Sequence, residues 1–67
     1  MSVQNYTVSG MTCEHCVASV TEEVGEIPGV TAVDVDLASG ALTVTSAETV
    51  PDEAVRGAVE EAGYQLV

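Results

Sequence analysis

The chemistry of this chain is concentrated in one stretch, Gly10-Met11-Thr12-Cys13-Glu14-His15-Cys16, where two residues separate a pair of thiols and an imidazole sits beside the second. Thiolates are soft donors that select Cu(I), Zn(II) or iron–sulfur clusters, whereas the carboxylates elsewhere in the chain suit hard ions. A structural zinc site requires four donors, and only Cys13, Cys16 and, as a candidate third ligand or tuning residue, His15 are at hand. Two thiolates match a metal of low coordination number, as Cu(I) accepts, and leave its flank open to an incoming ligand. That arrangement suits carriage of an ion more than permanent storage. The same CxxC spacing near a βαβ unit also serves thiol–disulfide exchange, which is the rival chemistry. Met11 offers a thioether, but its place beside a strand end suits a filler of the core.

Both sulfurs reach one point only if the flanking elements hold the loop. Tyr6 and Val8 alternate with Asn5, Thr7 and Ser9, the period-two pattern of a strand with one buried face, and Gly10 ends it. From Cys16 the apolar residues Val17, Val20, Val24 and Ile27 fall three or four apart, with Ser19, Glu22, Glu23 and Glu26 opposite, which predicts an amphipathic helix closed by Pro28-Gly29. Cys13 then lies in the loop and Cys16 in the opening helical turn. There the free N–H groups and the positive end of the macrodipole favour thiolate over thiol. Val33, Val35 and Leu37 share one side of a second strand over 30–37, with Ala32, Asp34 and Asp36 on the other. Ala38-Ser39-Gly40 predicts a hairpin connection, and Leu42 and Val44 mark the returning strand. Pro51 suits a first helical turn, Asp52 and Glu53 favour its positive end, and Val55, Ala58, Val59 and Ala62 form a second apolar stripe ending at Gly63. Residues 64–67, opened by Tyr64, are long enough for one last strand.

The order strand, helix, strand, strand, helix, strand predicts an α+β, ferredoxin-like βαββαβ sandwich: a four-stranded antiparallel sheet with both helices on one face. The other face is then open to water, which lets Asp34 and Asp36 alternate with valines without burying charge.

The 67 residues leave room for a single domain, 1–67, in which 46% of the residues are hydrophobic. Eleven acidic residues against Arg56 alone give a formal charge of −10, which repels phosphate backbones and anionic lipid headgroups and so excludes nucleic acid as a partner. No apolar run approaches the roughly 20 residues of a membrane span, and the first residues lack the basic start and apolar stretch of a secretory signal. The reading is a soluble, cytoplasmic chain with no direct membrane insertion. Two cysteines cannot build the disulfide framework of a small secreted domain. The glutamates on the helix faces are either solvated or a docking surface.

The GMTCEHC loop after a strand, the Val17–Ile27 helix with Pro28-Gly29-Val30, the Val33–Val44 hairpin and the Ala62-Gly63-Tyr64 ending together resemble the heavy-metal-associated domain family over essentially the whole chain. Within it, the chain is similar to the small bacterial copper chaperones, whose MxCxxC loop holds one Cu(I) and passes it to related domains of a copper-exporting P-type ATPase. The resemblance implies Cys13 and Cys16 as the Cu(I) ligands, Met11 as an apolar prop beneath the loop, and Tyr64 as a residue facing the site. Zinc- and cadmium-handling relatives usually carry an acidic residue where this chain has Thr12, a departure that favours copper. The chain also lacks the lysines that some eukaryotic copper carriers display on both helices, so its docking charges differ from theirs. The implied function is non-enzymatic. A Cu(I) chaperone would deliver by thiolate exchange to the metal-binding domain of a copper-transporting ATPase, and a copper-bridged homodimer is a further expectation. The alternative reading is a metal-binding domain excised from such an ATPase.

Overall fold

The computed structural model describes residues 1–67. Six elements follow in chain order: β1 (Ser2–Ser9), α1 (Glu14–Gly25), β2 (Val30–Val35), β3 (Ala41–Ser46), α2 (Asp52–Glu61) and β4 (Gln65–Leu66). They build one sheet in the order β2-β3-β1-β4, antiparallel at every junction, and the chain has the ferredoxin-like fold with its split βαβ units.

Period-two patterning decides which side of the sheet meets the helices. Leu42 and Val44 of β3 and Val8 of β1 point inward, Val20 and Val24 of α1 and Val55 and Val59 of α2 meet them, and Val50 closes the end. Seven of these eight core residues are valine, so a chain without Phe or Trp fills its interior with short β-branched side chains that lose little freedom when fixed. On the outer face Asn5 and Asp34 flank Thr43 in register, and the Thr43 hydroxyl donates to Asn5 Oδ1 at 3.1 Å. This face is left to water, as an antiparallel sheet permits.

The element order and the single helical layer match the sequence patterns, while several boundaries differ. Helix α1 begins at Glu14 and ends at Gly25, two residues before Ile27. Pro28-Gly29 therefore shapes the following turn rather than the last helical residues, with Gly29 at φ +93°. Strand β2 stops at Val35, not Leu37. The Asp36 carboxylate accepts from the Ala38 N–H and the Ser39 hydroxyl, both at 3.1 Å, and this local turn competes with continued pairing. Leu37 is left exposed. Pro51 stands just outside α2, at φ −58° and ψ 139°, and β4 is only two residues long.

Two devices tie β1 to the rest. Gly40 has φ +76°, and a Cβ there would lie 2.6 Å from the Val8 carbonyl oxygen, so only glycine lets the hairpin approach β1 this closely. The Val8 N–H donates to the Gly40 carbonyl at 2.8 Å. At the other end of β1, Gln4 reads the backbone of buried Val50 twice: its Nε2 donates to Val50 O at 2.9 Å, and its Oε1 accepts from Val50 N at 3.0 Å. Gln4 Nε2 also donates to Tyr6 Oη at 2.6 Å, and Tyr6 Oη donates to Asp52 Oδ1 at 2.8 Å. Burial and then the Asp52 carboxylate push the Tyr6 phenol up to about 12.

Candidate metal centre

The loop joining β1 to α1 begins at Gly10, whose φ of +95° turns the chain out of the strand. A Cβ there would stand 3.4 Å from Tyr64 Cδ1, an ordinary contact, so the positive φ rather than crowding by the ring favours glycine at this turn. Met11 is half-buried and packs against the core. Thr12 and Cys13 are exposed, and Cys16 is half-buried.

Cys13 occupies the N-cap of α1 in extended conformation, with no hydrogen bond from its side chain to the helix. Its carbonyl instead starts the helix by accepting from Cys16 N at 3.0 Å and Val17 N at 3.3 Å. The Cys13 sulfur is thereby free to face the other thiol, and the two Sγ atoms lie 3.7 Å apart. That is well beyond the roughly 2.04 Å of a disulfide, and both cysteines are free.

The loop favours an anionic sulfur at Cys16. Its pKa falls from 9.0 to about 6, chiefly through the backbone amide of Thr12 and then the Tyr64 hydroxyl, with smaller help from Cys13. Desolvation opposes the change without reversing it. Thr12 Oγ1 stands 3.8 Å from Cys16 Sγ, where its hydroxyl faces the sulfur. The interaction is reciprocal, since the Tyr64 phenol is pushed up by the same contact with Cys16.

Cys13, Cys16, Thr12 and Tyr64 are thus brought to one point by two loops that are distant in sequence. His15 is not among them. It lies exposed in the first turn of α1, its carbonyl accepting from the Ser19 hydroxyl at 3.1 Å, and no third His, Cys, Asp or Glu completes a metal-holding group with the thiols. The contribution of the Thr12 amide was invisible in the sequence, because any residue type except proline carries it. Gly10 before the loop was the one available signal that the backbone turns sharply there.

The fold and the loop define a class: a ferredoxin-like domain that presents two free thiols at the start of its first helix. The model of the heavy-metal-associated domain matches residues 5–65, and the chain belongs to that family. It is 39% identical over 67 residues to copper chaperone CopZ of Bacillus subtilis (strain 168), covering 98% of this chain and 97% of that protein. It is 36% identical over 64 residues to copper-transporting ATPase 1 of Rhizobium meliloti (strain 1021), covering 96% of this chain and 8% of the ATPase. A solved structure described as CopZ metallochaperone superposes with a TM-score of 0.92 at 34% identity, covering 98% of this chain and all of the other. No helix is long and apolar enough to cross a membrane.

Proposed function

We propose that this chain is a copper chaperone that binds one Cu(I) between Cys13 and Cys16 and passes it by thiolate exchange to the metal-binding domain of a copper-transporting ATPase. The observation that carries the reading is the thiol pair itself: two free sulfurs 3.7 Å apart at a helix start, with no third ligating side chain beside them. Zinc in a structural site would lack two donors, whereas a soft monovalent ion is satisfied by two sulfurs. Similarity to chaperones and to part of a copper-transporting ATPase supports both the cargo and the kind of recipient.

Function here is transfer rather than catalysis. The two sulfurs, 3.7 Å apart, would have to spread somewhat to grip a monovalent ion linearly between them. Cys13 supplies that movement, since its side chain is exposed and makes no capping hydrogen bond to the helix. An incoming thiolate of the recipient adds to the two-coordinate ion on its open side, and one original sulfur then leaves, so copper stays bound throughout. Free thiols of this kind persist in a reducing compartment, so delivery takes place in the cytoplasm.

The test is an anaerobic Cu(I) titration against a competing chelator. The chain should take up one equivalent, and Cys13→Ser with Cys16→Ser should lose it. Affinity unchanged in the double variant would end the assignment. His15→Ala should leave the stoichiometry intact, in keeping with two sulfur ligands.

A further inference from the structure

Helix α1 starts at the thiols and runs for 12 residues, about 18 Å, towards the opposite end of the molecule. There a cleft of about 380 Å³ opens between the turn that follows α1 and the segment that leads into α2. Ile27, Pro28, Val50, Pro51 and Ala54 give it apolar walls, and Glu48 adds a carboxylate. Its wall over 48–50 is pinned from outside. The Ser46 hydroxyl donates to Glu48 O, the Thr49 and Ser2 hydroxyls meet at 2.9 Å, and Gln4 holds Val50 N and O. None of the three side chains that do this, Ser46, Ser2 and Gln4, lines the cleft, so it is formed in advance and left open.

The charge around the cleft has one sign. Glu26 caps the C-terminus of α1, whose last turn holds Glu22 and Glu23 and no basic residue, so these carboxylates add to the negative end of the macrodipole instead of offsetting it. Across the cleft the first turn of α2 carries Asp52 and Glu53. The Tyr6 hydroxyl already donates to Asp52, while Glu26, Glu48 and Glu53 are exposed. The chain has no cation of its own to set against them: Arg56, its only Lys or Arg, projects about 200° round α2 from Ala54. We infer that this cleft docks a cationic, aliphatic segment of a partner protein, whose aliphatic side chains enter the apolar walls while flanking Lys or Arg residues meet Glu26, Glu48 and Glu53. A second copy of this chain brings the same net charge of −10 and is repelled, as are nucleic acid and anionic lipid. A segment held here leaves Cys13 and Cys16 open at the other end of α1, so the contact tethers the chain without competing for its thiols. The inference stands independently of the cargo.

Titrating the isotope-labelled, metal-free full chain with three cysteine-free peptides of about ten residues tests this by amide chemical shifts. One peptide interleaves Lys with Leu, the second has Glu for every Lys, and the third has Ser for every Leu. At about 20 mM salt the Lys–Leu peptide should shift the amides of residues 27–29 and 47–54 and bind at least about fivefold more tightly than the Lys–Ser peptide, and the Glu–Leu peptide should not bind. Glu48→Lys should weaken the Lys–Leu peptide at least about fivefold, whereas Asp34→Lys, the same charge change on the open face of the sheet, should weaken it less than about twofold. Cys13→Ser with Cys16→Ser should leave the affinity as it was. Equal binding of the Lys–Leu and Lys–Ser peptides, or equal effects of the two charge reversals, would reduce the contact to general attraction by an acidic surface and overturn the inference. Shifts centred on residues 10–16, or no binding by any peptide, would overturn it as well. All of these outcomes leave the carrier reading untouched, since no copper is present.

Discussion

Titrating the alkylation of Cys16 against pH probes the loop directly, using Cys13→Ser so that one thiol remains. The folded chain places the Cys16 pKa near 6, against 9.0 for the ordinary group. At pH 7 the thiolate fraction is then about 90%, where an unperturbed thiol would be about 1% ionised. Nucleophilicity falls with basicity, and a Brønsted slope of about 0.4–0.5 over three pKa units costs about 15- to 30-fold in intrinsic rate. The two effects nearly offset each other at pH 7, leaving Cys16 only about 3- to 6-fold faster than an ordinary thiol, so a rate at one pH is a poor test. The signature is the profile: iodoacetamide alkylation should rise with a midpoint near 6 and be flat by pH 8, and in urea the midpoint should return towards 9. The sign for folding follows. A folded pKa below the unfolded one adds stability that is fully present above pH 9 and is lost as pH falls from 9 to 6, so the metal-free chain should gain stability between those limits. Tyr64→Phe removes the second-largest cause and should move the midpoint upward while leaving the Thr12 amide contribution. The same midpoint in the folded and urea-unfolded chain would refute the account of the loop.

The remaining predictions concern the scaffold. Gly40→Ala and Gly63→Ala impose similar backbone strain of about 1–2 kcal/mol, but only the former drives a Cβ to 2.6 Å from Val8 O, whereas nothing lies within 4 Å at Gly63. Urea denaturation should therefore show Gly40→Ala losing about 3–4 kcal/mol, and equal losses would refute the close approach of hairpin and β1. Gln4→Leu leaves the N–H and carbonyl of buried Val50 without their partners and should cost about 2–4 kcal/mol by the same measurement. Ten net negative charges spread over a radius of gyration of 10.4 Å repel more than they do in the expanded unfolded chain. Raising NaCl from about 0.15 to 1 M should thus stabilise the fold by about 2 kcal/mol, and a urea midpoint that ignores salt would contradict this.

The sheet and both helices were legible because their signals are long-range repeats: Leu42 and Val44 at period two, and Val20 with Val24 and Val55 with Val59 one turn apart, lie where the patterns put them. The placement of Cys13 before the helix and Cys16 inside it was legible for the same reason. Element ends were less so, because they are decided by single hydrogen bonds. Asp36 ends β2 through its own side chain, and its alternation with valines reads as continued strand. The role of Gln4 has no signal in the sequence, since its partner is the backbone of Val50, 46 positions away, and backbone atoms leave no trace in residue types. The Thr12 amide is silent in the sequence for the same reason. His15 shows the converse: it adjoins Cys16 in sequence, yet its side chain belongs to the solvent face of the first turn.

None of the fully buried side chains comes from Thr12 to Cys16; the interior is assembled from β1, β3, both helices and the segment leading into α2. Folding energy and cargo affinity are therefore separate quantities in this molecule, unlike small zinc modules that exist only around their ion. On the carrier reading proposed above, an emptied copy keeps its shape and its thiols stay presented, so reloading requires no refolding step. A chelator should strip the ion and leave the far-ultraviolet circular dichroism of the chain as it was.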